Sequence, residues 1–258
     1  GTFNGNGHVI SGFNPGSVEK ADGSYSYSYT GFAALLGTGG VIKNLVLSGD
    51  IANNKPAEYL YVGTFAAENK GTIENCTSLC SINLPGTEAN TKYKYAGGIA
   101  GLNFGGDIKS CTNNGRISAA QPSGENPEGH IGGITGSSWC GRIVMCVNTE
   151  DLLGYYSIGG ITASANDTTV VSCVNTGSIK RQSEDCVLYY SGGIAGVCGF
   201  KSQITNCLNS GSVTAIYAGG IAGSCEPGGT GLEKRARISH CTNRGAVHGY
   251  YFEKDGAG

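Results

Sequence analysis

The sequence is poor in charge and in the bulky side chains that build most helical or aromatic cores. Of its 258 residues only 14% are charged, and it has one Met and one Trp. This leaves few residues for long helices. The formal net charge is −2, whereas a nucleic-acid-binding domain carries a basic stripe that displaces counterions. We therefore expect no nucleic-acid partner.

Long apolar runs and metal-ligand spacings are also scarce. No apolar run approaches the roughly 18 residues that a membrane-spanning helix needs, so we expect no membrane insertion by this segment. His occurs four times and no Cys-x-x-Cys pair is present, although such groups hold many metal sites. The sequence therefore predicts no metal site and no cofactor. The chain opens inside a repeat-like motif, so we expect that a leader has been removed.

Glycine, by contrast, is abundant and recurs in a fixed phrase. The chain has 45 Gly, far above the usual share of about 7%, and this predicts many tight turns with positive φ. The phrase is a double Gly, then Ile, then Ala or Thr, then a small residue. Its clear copies start at Gly97, Gly132, Gly159, Gly192 and Gly219, with looser copies at Gly31 and Gly63.

A column of Cys follows the Gly phrases. Each Cys has an aliphatic residue three positions before it and another six positions after it. The column contains Cys76, Cys111, Cys146, Cys173, Cys207 and Cys241, and Leu45 and Phe13 extend it toward the N-terminus. The period is 27 to 35 residues, which is typical of a solenoid.

Each period also contains three short runs rich in β-branched residues. Such runs predict parallel strands wound into a stack, because one coil cannot bury its apolar face alone. We predict an all-β fold, a parallel β-helix or β-solenoid of seven to eight coils, in one domain over residues 1–258. Residues 1–30 form an opening coil, 31–249 the repeats and 250–258 a C-terminal tail. Right-handed winding is expected for parallel crossovers.

Two columns are expected to point inward. Cys is small and often buried, so its column should pack as reduced thiols. Cys198 and Cys225, which share a register in successive coils, are the pair best placed to form a bridge. Two positions after each Cys of the column from Cys111 onward stands an Asn whose amide should stack along the axis, whereas Ser78 and Leu47 break this column at the two preceding coils. The Asn residues are Asn113, Asn148, Asn175, Asn209 and Asn243.

The clearest copy of the full motif lies within residues 192–213. It reads Gly-Gly-Ile-Ala-Gly and then Ile-Thr-Asn-Cys-Leu-Asn-Ser-Gly-Ser-Val. This pattern resembles the GLUG repeat of bacterial surface proteins, and residues 1–11 resemble the segment that often precedes such repeats. The resemblance implies a β-helix, secreted or attached to the bacterial cell surface, with an adhesin-like role. It supplies no catalytic residue.

The fourteen Tyr lie in the approach to the double Gly or in a similar place after the last coil. The residue just before the Gly is mostly apolar and should point inward, so alternation sends the Tyr outward. Two interpretations stay open. Tyr is a good strand former whose rings stack on an outer face, or the rings form a strip that binds sugars. The candidate ligand-binding residues are Tyr59, Tyr61, Tyr93, Tyr95, Tyr190, Tyr217 and Trp139.

Aromatic residues at turns and two long loops are further candidates. Trp139, Phe104 and Phe200 follow the Gly phrase, where a ring either contacts a ligand or lies over its own turn. The loops 83–96 and 118–131 are long and rich in Pro and Gly, and insertions on one side of a solenoid often carry recognition. Residues 121–128 have no apolar anchor, however, and are expected to form a solvated excursion rather than a binding surface. The expected partner is a glycan or a host surface protein.

An enzyme is the main rival class, because β-helices host polysaccharide lyases and hydrolases. Those reactions need carboxylates gathered within a few ångströms. Asp50 and Asp151 share a register but lie three coils apart, and the neighbouring side chains of Glu150 and Asp151 should diverge. We expect no enzyme. The first alternative is a rigid spacer of a larger surface protein, and a polysaccharide lyase or hydrolase is less favoured.

The alignment of the coils also predicts which charged residues lie next to each other on neighbouring coils. Two positions before the Cys column, Lys43, Glu74 and Lys109 should lie on neighbouring coils, about 4.8 Å apart. Five positions after the column, Arg116 and Asp151 should be adjacent too. Opposite charges on neighbouring strands are mildly favourable, so both sets should lie on the outer surface.

Overall fold

The computed structural model describes residues 1–53, 55–86, 91–122, 127–183, 186–225 and 235–250. Within these ranges the chain forms strands and turns and no helix, hence none able to span a membrane. The strands stack in sheets that form the sides of a β-solenoid. The predicted fold class is confirmed. Of the predicted tail, only Tyr250 lies within the described residues.

Strands follow one another closely along the chain, separated by short corners. The first part contains β1 (Thr2–Asn4), β2 (Val9–Phe13), β3 (Ser17–Asp22), β4 (Tyr25–Thr30), β5 (Ala33–Leu36), β6 (Val41–Lys43), β7 (Val46–Ala52), β8 (Tyr59–Gly63), β9 (Ala66–Asn69), β10 (Thr72–Glu74), β11 (Thr77–Leu84), β12 (Tyr93–Gly97) and β13 (Ala100–Phe104). The middle contains β14 (Asp107–Lys109), β15 (Thr112–Asn113), β16 (Ile117–Ala119), β17 (Glu128–Gly132), β18 (Thr135–Trp139), β19 (Arg142–Val144), β20 (Val147–Asn148), β21 (Leu152–Gly154), β22 (Tyr156–Gly159) and β23 (Thr162–Asn166). The last part contains β24 (Thr169–Val171), β25 (Val174–Asn175), β26 (Ile179–Arg181), β27 (Leu188–Gly192), β28 (Ala195–Cys198), β29 (Gln203–Thr205), β30 (Leu208–Asn209), β31 (Val213–Ala215), β32 (Tyr217–Gly219), β33 (Ala222–Cys225), β34 (Arg237–Ser239), β35 (Thr242–Asn243) and β36 (Val247–Gly249).

Four sheets collect equivalent strands from successive coils. Sheet 1 runs β1-β6-β10-β14-β19-β24-β29-β34, and sheet 3 runs β3-β4-β8-β12-β17-β22-β27-β32. Sheet 4 runs β5-β9-β13-β18-β23-β28-β33, and the remaining strands form sheet 2. Neighbouring coils pair in parallel, whereas β3 and β4 form an antiparallel hairpin within the opening coil.

The stack contains about six full turns, slightly fewer than the seven to eight predicted. The opening coil departs from the pattern because of its antiparallel hairpin. The last described coil supplies only β34, β35 and β36, which join sheets 1 and 2. The repeat count read from the sequence includes these two irregular coils.

Columns of aliphatic side chains line the interior. The column three positions before the Cys is in register from coil to coil, as Ile73 pairs with Ile42 on one side and Ile108 on the other. Burying a side chain of this size contributes about 1.5–3 kcal/mol. The buried members are Ile42, Ile73, Ile108, Ile143, Val170 and Ile204.

The Cys column lies inside, as predicted. Its members from Cys76 to Cys207 are buried and Cys241 is partly so, and all eleven Cys of the chain are free thiols. Cys111 donates from Sγ to the carbonyl of Lys109 at 3.3 Å, and the other members repeat this contact. Cys198 and Cys225 are register neighbours on β28 and β33, and each is a free thiol.

Glycine takes the predicted positive φ at some turns, namely at Gly7, Gly12, Gly23, Gly39 and Gly105, but the Gly that follow the Cys column have another role. Gly115, Gly177, Gly211 and Gly245 have no positive φ, and a Cβ added to Gly177 would lie 1.9 Å from the carbonyl oxygen of Glu150 in the preceding coil. Gly therefore allows close approach between coils. The residue just before the Cys column also has positive φ, between 51° and 56°, at Asn44, Asn75, Ser110, Met145, Ser172, Asn206 and His240.

The predicted alignment of the opening coil is wrong. The spacing puts Phe13 in the Cys column and Ile10 in the aliphatic column before it. In the structure Phe3 pairs with Ile42, whereas Ile10 pairs with Leu47 and Phe13 with Gly49. A register shift between Ser11 and Phe13 and extra residues before β2 break the spacing on which the alignment depends.

The predicted charge register is confirmed. Glu74 pairs with Lys43 on one neighbouring strand and with Lys109 on the other, and all three are partly exposed. Arg116 precedes Ile117, which pairs with Leu152 just after Asp151. Lys109 nevertheless forms its ion pair within its own strand and not with Glu74, since its Nζ lies 2.9 Å from the carboxylate of Asp107.

Candidate functional site

A stack of tyrosine rings covers the outer face of sheet 3. We call Tyr27, Tyr29, Tyr59, Tyr61, Tyr93 and Tyr95 the tyrosine strip. Its rings lie nearly parallel in two rows, with Tyr59 and Tyr93 centred 4.9 Å apart and Tyr61 and Tyr95 5.1 Å apart. Strand pairing sets this spacing, since Tyr93 pairs with Tyr59 and Tyr95 with Tyr61.

The predicted alternation holds along the strip. Val62 and Ala96, next to the Tyr rows, are fully buried, while the strip residues on β8 and β12 are partly exposed. Burial raises the pKa of Tyr61 and Tyr95 well above the ordinary value, with nearby Tyr95 adding to the effect at Tyr61 and Glu128 at Tyr95. Both hydroxyls are therefore neutral hydrogen-bond donors at physiological pH.

Tyr155 is an exception to the outward assignment. The sequence groups it with Tyr27, Tyr59 and Tyr93, but it is 1% exposed. Its ring fills the space beside Gly129, where an added Cβ would lie 2.7 Å from Tyr155 Cζ. The next residue, Tyr156, has φ of 66° and marks a register shift, which turns one Tyr inward and the other outward.

A groove connects the tyrosine strip to the turn that carries Trp139. Its walls are Tyr61, Tyr95, Leu102, Phe104 and Trp139, and it encloses about 200 Å³. We call it the aromatic groove. The sequence suggests the strip and the turn as separate candidates, and the structure brings them together where sheets 3 and 4 meet. Sequence reasoning missed Leu102, because it lies outside the repeated phrase.

The turn side of the groove is open to solvent. Phe104 and Trp139 are register neighbours on β13 and β18, with exposed fractions of 47% and 48%. Trp139 donates from Nε1 to Ser137 Oγ at 3.0 Å, which fixes the indole plane. Lys70 Nζ lies 5.5 Å from the centre of the Phe104 ring and pairs with Glu68 at 2.9 Å.

The other predicted residues fall in two places. Tyr59 and Tyr93 continue the strip beside the groove without lining it. Tyr190 and Tyr217 stack on each other at 5.2 Å at the far end of sheet 3. Phe200, 37% exposed, lies 5.1 Å from Lys201 Nζ. The centres of the two long loops, 87–90 and 123–126, lie outside the described residues.

A second depression lies farther along sheet 3. It is lined by Gln121, Pro127, Glu128, Tyr155, Tyr156, Val187, Tyr189 and Tyr190 and encloses about 540 Å³. We call it the acidic cavity. Of its lining, the sequence names Tyr190 as a candidate ligand-binding residue and includes Gln121, Pro127 and Glu128 in the candidate loop 118–131, but nothing in the repeats indicates that these residues and Tyr156 come together. Across the described ranges, His, Cys, Asp and Glu form no group of three or more that could hold a metal.

Comparison with known families supports the resemblance read from the repeats. The GLUG motif matches residues 93–118, which begin at β12 in the tyrosine strip and end within β16. No curated protein matches the chain. The chain is thus a repeat β-solenoid that carries a GLUG motif, and neighbouring coils repeat the geometry of the matched one.

Proposed function

We propose that this protein is a non-enzymatic repeat protein, secreted or held at the bacterial cell surface, that binds carbohydrate in the aromatic groove. The observation that carries the proposal is the convergence of Tyr61, Tyr95, Phe104 and Trp139 on one open groove. Flat aromatic faces stack on the C–H faces of sugar rings, and Tyr hydroxyls supply hydrogen bonds. The GLUG β-solenoid fold supports a repeat protein of the surface type.

The size and electrostatics of the groove favour a surface-bound sugar. Its volume of about 200 Å³ is below the roughly 300 Å³ at which pockets for drug-sized ligands begin. A ring held there stays open to solvent, so the rest of a chain could continue along the strip. The hydroxyls of Tyr61 and Tyr95 are neutral, and the nearby Glu68 is paired with Lys70.

A rigid spacer is the second candidate. Continuous parallel pairing from coil to coil gives a stiff rod whatever its surface binds. A spacer would tolerate loss of the groove residues, whereas a glycan-binding protein would not. A lyase or hydrolase would in addition convert the bound polysaccharide.

Trp139→Ala separates these functions. Wild-type protein is screened on a glycan array, and the bound glycans are then measured by isothermal titration. Loss of the exposed indole should weaken binding at least about tenfold, or about 1.4 kcal/mol, while the melting temperature stays within a few degrees. Tyr217→Ser, at a ring 54% exposed outside the groove, is the matched control and should bind as wild type.

The outcomes are distinct. Binding that Trp139→Ala leaves unchanged, or no binding to any arrayed glycan, would contradict the proposal and favour the spacer. New reducing or unsaturated ends appearing in a bound polysaccharide would favour the enzyme.

A further inference from the structure

The parallel stack of rings on sheet 3 ends in the middle of the solenoid, where the ring of His130 meets that of Tyr156 edge-on at 5.6 Å. His130 continues the row from Tyr95 with ring centres 5.0 Å apart. The next position in register is Ser157, and after it comes Tyr190. Ser157 is fully buried and donates from Oγ to the carbonyl of Ala163 at 3.2 Å. No ring therefore occupies this register between His130 and Tyr190.

The acidic cavity is adjacent to this gap. Tyr156 and Tyr189 meet almost at right angles, with ring centres 5.7 Å apart and an interplanar angle of 71°. Tyr189 and Tyr190 are 6.3 Å apart and tilted by 35°. Rings set at an angle present their negative faces from more than one side, as in sites that hold organic cations.

Two acceptor groups, the carboxylate of Glu128 and the side-chain oxygen of Gln121, line the cavity. Glu128 Oε2 lies 3.4 Å from His130 Nε2, and hydrogen bonding to His130, with a smaller contribution from Tyr156, lowers the pKa of this carboxyl. It is thus an anion at neutral pH. Gln121 Oε1 is buried and accepts no hydrogen bond from any described residue. The described lining includes neither Lys nor Arg.

We propose that the acidic cavity binds a small organic ammonium ligand that carries a hydroxyl or N–H donor. The cationic head lies on the faces of Tyr156 and Tyr189 and against the carboxylate of Glu128. The donor reaches Gln121 Oε1, which otherwise stays buried without a partner. At about 540 Å³ the cavity falls within the usual range for small-molecule sites, roughly 300–1,000 Å³.

Choline and its neutral isostere 3,3-dimethyl-1-butanol test the site on the whole chain. The two differ in charge at one atom and share the hydroxyl donor. Binding is followed by NMR or isothermal titration, and choline should bind at least about tenfold more tightly than the alcohol. Equal affinities, or no saturation by choline at tens of millimolar, would overturn the proposal.

Variants assign the binding to this cavity. Glu128→Gln removes the charge at constant shape, and Tyr189→Leu removes a ring that is 40% exposed. Each should weaken choline binding at least about tenfold, whereas Tyr189→Phe should keep it. Glu58→Gln is the matched control, since Glu58 pairs with Lys92 at 2.7 Å just before β8 and β12, outside the cavity.

Two further results decide whether choline binds in the acidic cavity and independently of the aromatic groove. Unchanged choline binding in Glu128→Gln, with native circular dichroism, would refute the site. Trp139→Ala should leave choline binding intact, so a failure of the glycan proposal and a failure of this one are told apart.

Discussion

At the scale of single residues, an inward Asn such as Asn148 connects three coils at once. Asn148 accepts from Asn113 Nδ2 and donates to Asn175 Oδ1, both at 2.8 Å. It also donates to the carbonyl of Glu150 in its own turn at 2.9 Å. A buried amide carries a large desolvation cost unless it is bonded, and the stack supplies the bonds.

Replacing Asn148 with Ala should therefore destabilise the fold by about 2–3 kcal/mol, because Asn113 and Asn175 lose partners in a dry interior. Chemical denaturation measures this. Asn114→Ala is the matched control, since Asn114 is exposed and accepts only from Thr149 in the side-chain contacts described. Asn114→Ala should lower the free energy of unfolding by less than about 0.5 kcal/mol. Similar costs for the two variants would show that the ladder does not stabilise the core.

The raised pKa values of Tyr61 and Tyr95 predict a stability loss in alkali. Burial raises the pKa of Tyr61 and Tyr95 in the folded state. Their contribution to folding stability is complete below pH 10, which is about the pKa of Tyr in the unfolded chain. It is lost as the pH rises toward their pKa values in the folded state. The melting temperature should thus fall above about pH 10, and less so in the double variant Tyr61→Phe/Tyr95→Phe. An identical alkaline fall in wild type and variant would refute the assignment.

At the scale of elements, close approach of the coils depends on Gly at fixed corners. Gly177→Ala would place a methyl 1.9 Å from the carbonyl oxygen of Glu150, where backbone must move. We expect a loss of about 3 kcal/mol in unfolding free energy. Gly37→Ala, with no atom within 4 Å of the added Cβ, should be nearly neutral. Equal effects in a denaturation series would contradict the packing role of these Gly.

The strand register could be predicted wherever a column repeats without insertion. The Cys, Asn and aliphatic columns place every coil from Leu45 onward, because a parallel stack puts like residues side by side. The alignment fails in the opening coil because extra residues between β1 and β2, and a register shift between Ser11 and Phe13, break the spacing. The positive-φ corner left no sequence signal, since Asn, Ser, Met and His all occupy it.

The candidate site was only partly predictable for a related reason. The alternation of inward and outward side chains along a strand predicted the outward rows of Tyr. The sequence does not indicate which residues of the neighbouring turn lie against these rows. Leu102 and Trp139 of sheet 4 line one groove with Tyr61 and Tyr95 of sheet 3, and the repeat spacing does not indicate this. The inward turn of Tyr155 depends on the space left by Gly129 one coil earlier.

At the scale of the whole molecule, the pairing of the coils sets the spacing of the aromatic rings. Parallel pairing fixes neighbouring strands at about 4.8 Å, and the rings of the strip follow with centres 4.9–5.3 Å apart. The strip is thus a preformed surface, and a ligand that binds there need not order it. This is why the proposed function is recognition along an outer face.

The fluorescence of Trp139 tests the glycan proposal most directly, because the single Trp of the chain lies in the aromatic groove. Oligosaccharides that bind on the array are titrated while indole emission is recorded. The account predicts a saturable change in emission whose midpoint matches the calorimetric Kd, and its loss in Tyr61→Ala/Tyr95→Ala with the fold intact. Tight glycan binding that leaves the emission of Trp139 unchanged would contradict it.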